Sequence, residues 1–147
     1  MIETVSYPEL TAIGFMVEAS REDLPAAVSA AWERLFAADS GATSFAAVSL
    51  PEENGLQREL VGFLAARATE IPPGMVRIDL DAGRYLRLIH DGPVSAIPDG
   101  FARLQAHAAA NGLKVSGIAL DFGHRPGLPD GRHELHLALA AQLPALG

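Results

Sequence analysis

Two residues near the end of the chain carry the clearest chemical signal. Glu134 and His136 sit two positions apart in the run His133-Glu134-Leu135-His136-Leu137-Ala138-Leu139. If this run is a strand, period-2 alternation puts His133, Leu135, Leu137 and Leu139 on one face and Glu134, His136 and Ala138 on the other. A carboxylate next to apolar surface attracts a cation, because leaving it unpaired there is expensive. A neutral His136 leaves Glu134 free for that cation, whereas a protonated one pairs with it. The pairing predicts weaker cation binding below about pH 6.

The other reactive side chains fall short of known patterns. His133 and His136, three apart on a strand, face opposite ways and cannot hold one ion together. The same four residues are one short of the zinc-protease helix motif. His124 stands in a loop beside Arg125 and Pro126. No metal site and no cofactor are therefore expected. There is no cysteine, which excludes thiolate chemistry and a disulfide scaffold. Ser40-Gly41 and Ser116-Gly117 lack the flanking glycines of a nucleophile elbow, and no glycine-rich phosphate loop precedes a helix. No catalytic residue is assigned. His90-Asp91-Gly92-Pro93 closes a strand, and its role is to shape the exit into the next helix.

Positioning Glu134 and His136 requires a fold, and the chain has enough length for one. Its 147 residues, 49% apolar, suit one globular domain with a substantial core. Eleven Lys+Arg against eighteen Asp+Glu give a net charge of −7, a poor counterion for phosphate, so direct nucleic-acid binding is not expected. No apolar run reaches membrane-spanning length, and the N-terminus shows no signal-peptide pattern. A cytoplasmic protein without a membrane partner is the expectation.

Periodicity supplies the elements. Residues 9–17 read as a strand; Ser20 with Asp23 then opens a helix over 24–37, with Leu24, Val28, Ala31, Trp32, Leu35 and Phe36 at helical spacing. Strands follow at 44–50 and 59–67, joined through Asn54-Gly55. After the break at Pro72-Pro73-Gly74, residues 75–80 and 84–89 read as a hairpin turning at Asp81-Ala82-Gly83. A helix over 98–111, stopped by Asn111-Gly112, and strands at 114–122 and 133–140 complete the chain. The order strand-helix-strand-strand thus occurs twice, with halves of about 1–70 and 75–147 in a single domain. One such unit covers one face of its sheet, so two are expected to pair around a common core.

The second half carries a recognisable combination. Asp81-Ala82-Gly83-Arg84-Tyr85, then Ile89-His90-Asp91-Gly92-Pro93-Val94, a helix, and Arg132-His133-Glu134-Leu135-His136-Leu137 together resemble the GyrI-like family, the effector-binding domain class of AraC-type and multidrug-responsive MerR-type bacterial regulators. Tyr7-Pro8, the helix with Trp32, and Gly62 extend the likeness into the first half. The resemblance implies an α+β fold. Two pseudo-twofold strand-helix-strand-strand units form an antiparallel sheet, with helices on one face and a ligand cleft between the halves.

It further implies a stand-alone small-molecule or drug-binding module, taking hydrophobic or cationic compounds and linked to transcription regulation. Glu134 matches the family's acid on the last strand. With it, His136, Trp32, Phe45, Phe63 and Tyr85 are the expected ligand-binding residues. Each of these four aromatics equally suits a core position holding helix to sheet, and Phe36 and Phe101 are read as core. Aromatic residues make up 6% of the chain, which is thin for a multidrug pocket and implies a more aliphatic cleft. Two alternatives come with the family: hydrolysis of reactive cyclopropane-containing compounds with Glu134 as general acid or base, and a gyrase-inhibitor-like interaction with an unidentified protein partner.

Overall fold

A computed structural model describes residues 1–38, 41–127 and 130–140. The elements run β1 (Ile2–Tyr7), β2 (Leu10–Ala19), α1 (Leu24–Ala37), β3 (Phe45–Glu53), β4 (Leu56–Ala65), β5 (Val76–Leu80), β6 (Gly83–Gly92), α2 (Ile97–Ala110), β7 (Val115–Phe122) and β8 (Gly131–Leu139). α1 opens where expected, with the Asp23 amide donating to Ser20 Oγ at 3.2 Å. α2 stops at Asn111, and Gly112 takes the left-handed backbone that helix ends favour, with φ +64°. Among the described residues no helix is long and apolar enough to cross a membrane.

All eight strands form one antiparallel sheet in the order β1-β6-β8-β7-β3-β4-β2-β5. The two strand-helix-strand-strand units, β2-α1-β3-β4 and β6-α2-β7-β8, meet where β3 pairs β7. This is the α+β arrangement of two repeated units expected from the sequence. One pairing departs from expectation. β5 and β6 do not form a hairpin: β5 pairs β2, Leu10 opposite Leu80, while β6 pairs a strand absent from the sequence reading, β1, Val5 opposite Tyr85. Each half therefore receives its outer strand from the segment preceding the other half.

This exchange bends the sheet. Tyr7 and Leu10 are joined by only Pro8 and Glu9, a link that spans about 10 Å at most. Yet β1 lies at one end of the strand order and β2 beside the other end. The sheet must curl to bring its ends together. The consequence is a core made by strands alone, with Ala12, Val48, Leu60, Leu80, Tyr85, Leu120 and Ala138 buried together. The opposite face carries the helices. Ala31, Trp32 and Leu35 of α1 pack with Ile13, Phe15, Val61 and Phe63; Ile97, Leu104 and Ala108 of α2 pack with Leu86, Leu88, Leu135 and Leu137. Burying each such aliphatic side chain contributes roughly 1.5–3 kcal/mol.

Candidate functional site

α1 lies over β2 and β4, and α2 over β6 and β8. The seam between them, where β3 and β7 pair, has neither helix directly above it. On the helix-bearing face this seam presents Ala47 and Ser49 from β3 and Ala119 and Asp121 from β7, set by the pairs Ala47 opposite Asp121 and Ser49 opposite Ala119. Small side chains on the middle strands leave a groove between the helices, and Ser49 and Ala119 on its floor are only half-buried.

Polar groups collect along this groove. Glu59, opposite Ser49 on β4, accepts a hydrogen bond from Ser49 Oγ at 3.0 Å. Burial pushes its carboxyl pKa up, the Ser49 bond draws it back, and the charge of Asp121 raises it further against a smaller pull from His124. No Lys or Arg among the described residues is ion-paired with Glu59. Asp121 is shared by two imidazoles: Oδ1 is 2.8 Å from His133 Nδ1, and Oδ2 is 2.9 Å from His124 Nε2. His133 is buried, while His124 is partly open. The indole of Trp32 stacks on the His124 ring with centroids 4.1 Å apart. Phe36 stacks behind Trp32 at 5.2 Å, and Phe45 meets Phe36 edge-on at 5.0 Å.

The six residues expected from the sequence divide between the two faces of the sheet. Trp32, Phe45 and Phe63 belong to the helix-side core and groove wall. Tyr85, Glu134 and His136 lie on the strand-only face. Phe45 pairs directly with Phe63 and shares the phase of Ala47 and Val61, so the backbone of the sheet separates these aromatics from Glu134. The six residues therefore fall in two groups on opposite faces of the sheet. Tyr85 borders a cleft of about 350 Å³ at one end of the strand-only core, with Asp81, Arg84, Ser116, Ile118 and Ala138 around it. Glu134 stands in a shallow hollow with Phe122, Gly123 and Arg132, its carboxylate 3.6 Å from the Arg132 guanidinium.

His136 also behaves differently from expectation. It is fully buried, and burial lowers its pKa to about 4. It stays neutral at pH 6, so the expected protonation switch against Glu134 does not operate in that range.

Glu59, Asp121, His124 and His133 were not singled out together from the sequence. A signal existed for Glu59: it shares the phase of Val61 and Phe63, so an acid occupies the face that should be apolar. Asp121 likewise shares the phase of Ala119. His133 alternates with Leu135 and Leu137, and its placement on the helix-bearing face was legible.

No family model and no curated protein matches the chain. Solved structures do. SAV2435 bound to tetraphenylphosphonium superimposes with a TM-score of 0.73 at 11% identity, covering 95% of this chain and 94% of that one. A bacterial transcription regulation protein from Staphylococcus aureus MU50, itself so described only provisionally, gives 0.70 at 11% identity, covering 96% and 99%. The EcmrR C-terminal domain gives 0.67 at 10% identity, covering 95% and 97%. At these identities the likeness is one of fold. With its doubled strand-helix-strand-strand unit, the chain shares the fold of these structures.

Proposed function

We propose that this protein is a small-molecule-binding module that takes a hydrophobic cation in the groove between α1 and α2. The observation that carries this reading is Glu59: a partly desolvated carboxylate on the groove floor with no basic partner among the described residues. Such a group is costly until a cation meets it. Trp32 and Phe36, stacked on one another, form the wall of the groove, apolar surface that suits the organic part of such a cation. A fold relative captured with tetraphenylphosphonium supports the ligand class. Glu134 is the weaker anchor, since Arg132 already approaches it.

Trp32 is the sole tryptophan and reports directly on the groove. Tetraphenylphosphonium should quench its fluorescence saturably, and triphenylphosphine oxide, bulky but uncharged, should bind at least tenfold more weakly. Glu59→Gln should cost tetraphenylphosphonium tenfold or more in affinity while Glu134→Gln leaves it unchanged. Loss with Glu134→Gln alone would move the ligand to the strand-only face. Absence of binding by both compounds would overturn the reading. Recovery of the ligand intact by mass spectrometry separates binding from hydrolysis.

A further inference from the structure

We propose that Asp121, His124 and His133 form a binding site for a divalent transition-metal ion of the zinc class. One ligand atom from each lies within 4.8 Å of the other two. Two donors at about 2.0–2.1 Å from a common ion, at tetrahedral to octahedral angles, stand about 2.9–3.3 Å apart. The contact of 2.9 Å from His124 Nε2 to Asp121 Oδ2 lies at the short end of that spacing, and that of 2.8 Å from His133 Nδ1 to Asp121 Oδ1 just below it. A small rotation of the carboxylate, with the ring protons moved to the other imidazole nitrogens, turns the hydrogen-bonded triad into a coordination sphere.

Local structure explains why a residue from a loop reaches two strand residues. Gly123 adopts φ +125°, and a Cβ there would lie 2.5 Å from the Arg132 carbonyl oxygen. Only glycine lets the chain leave β7 this close to β8, and that departure carries His124 over His133, their rings 4.7 Å apart and nearly perpendicular. Trp32 stacked on His124 fixes the ring plane, as surrounding groups do around metal ligands. The charges agree as well. A dication with one carboxylate and two neutral imidazoles carries +1, and Glu59, near enough to feel Asp121 and His124, offsets the remainder. Three protein ligands leave a fourth position for water or an exogenous group. Entry is from the His124 side, where that ring is 13% exposed. The ion's ligands are these three residues, whereas effector capture rests on Glu59 and the aromatic wall.

The test uses the intact chain stripped with a chelator and titrated with Co²⁺ alone, followed by its visible d–d absorption, with Zn²⁺ as competitor. One equivalent should bind. Zn²⁺ should raise Tm reversibly, and the His124 and His133 ring signals, but not those of His90, His107 and His136, should shift in NMR spectra. His124→Ala should weaken binding more than tenfold, while His90→Ala keeps the site. No stoichiometric Co²⁺ spectrum, binding indifferent to His124→Ala, or shifts confined to the other histidines would overturn the proposal. The NMR and Tm measurements on the unaltered protein decide it even where a variant fails to fold.

Discussion

The hydroxyl of Tyr7 on β1 lies 2.6 Å from Nε2 of His136 on β8, joining residues 129 positions apart across the strand-only core. His136 Nδ1 is 3.2 Å from the carbonyl oxygen of Glu134. A carbonyl only accepts, so Nδ1 carries the proton and donates to it, and Nε2 accepts from Tyr7. The imidazole is thus fully used in its neutral form, and Phe122 and Tyr85 enclose it at centroid distances of 4.7 and 6.0 Å.

Acid should therefore weaken the fold through His136. Its folded pKa is about 4 against 6.5 as the ordinary value, so the unfolded chain takes up the proton first as pH falls. The stability tied to the neutral ring is complete above pH 6.5 and is lost toward pH 4, on the order of 3 kcal/mol over that window. Urea unfolding at pH 7 and pH 4.5 should show a smaller loss for His136→Gln than for the unaltered chain. An identical loss would place the acid sensitivity elsewhere. Tyr7→Phe should cost about 1–3 kcal/mol at pH 7, because it leaves a buried acceptor without its donor.

Glu59 has the opposite linkage. Its folded pKa is raised, chiefly by burial, so the ionised form destabilises the folded state at neutral pH and the penalty fades as pH falls through the folded value. Glu59→Gln should raise Tm at pH 7 and raise it less at pH 4.5. A fall in Tm at pH 7 would mean that the carboxylate is compensated. Stabilisation together with lost cation affinity is the signature of a residue kept for binding.

Gly14 and Gly62 face one another across β2 and β4. A Cβ on Gly62 would lie 2.0 Å from the Ile13 carbonyl oxygen, and one on Gly14 2.2 Å from that of Val61. Backbone cannot yield as a flexible side chain can, so Gly62→Ala should destabilise by about 1–3 kcal/mol or more, read as a lower urea midpoint. The double variant with Gly14→Ala should cost less than the sum, because both force the same strands apart. An unchanged midpoint for Gly62→Ala would contradict the close approach.

Strand exchange predicts where a truncation is felt. β1 pairs only with β6 among the described strands, although it precedes β2 in the chain. Deleting residues 1–7 should accelerate hydrogen exchange in β6 more than in β2, which keeps β4 and β5 as neighbours. Faster exchange centred on β2 would place β1 beside the first half.

Much of the architecture could be read locally. The spacing of Leu24, Val28, Ala31, Trp32 and Leu35 predicted α1 over the residues it occupies, and alternation in 133–139 separated Leu135 and Leu137 from Glu134 and His136 as the structure does. β1 escaped because Ile2–Tyr7 has no apolar alternation: its half-buried residues are Ile2 on one face and Val5 and Tyr7 on the other. The false hairpin at Asp81-Ala82-Gly83 arose because a turn signal states that the chain bends, not which strand it then pairs.

The candidate site divides along the same line. Sequence periodicity by itself determined which side chains share a strand face or helix stripe, since these depend on neighbours two to four residues away. It also put Trp32 on the buried stripe of its helix. Which face becomes a groove was decided by tertiary structure: the curl forced by the Pro8-Glu9 link fills one face with strand side chains, and the helices part over β3 and β7 on the other. The same closure brought Glu59 within the charge of Asp121 and set His124 against Trp32. Those meetings join groups far apart in the chain, and their energies are realised only when the whole sheet has closed.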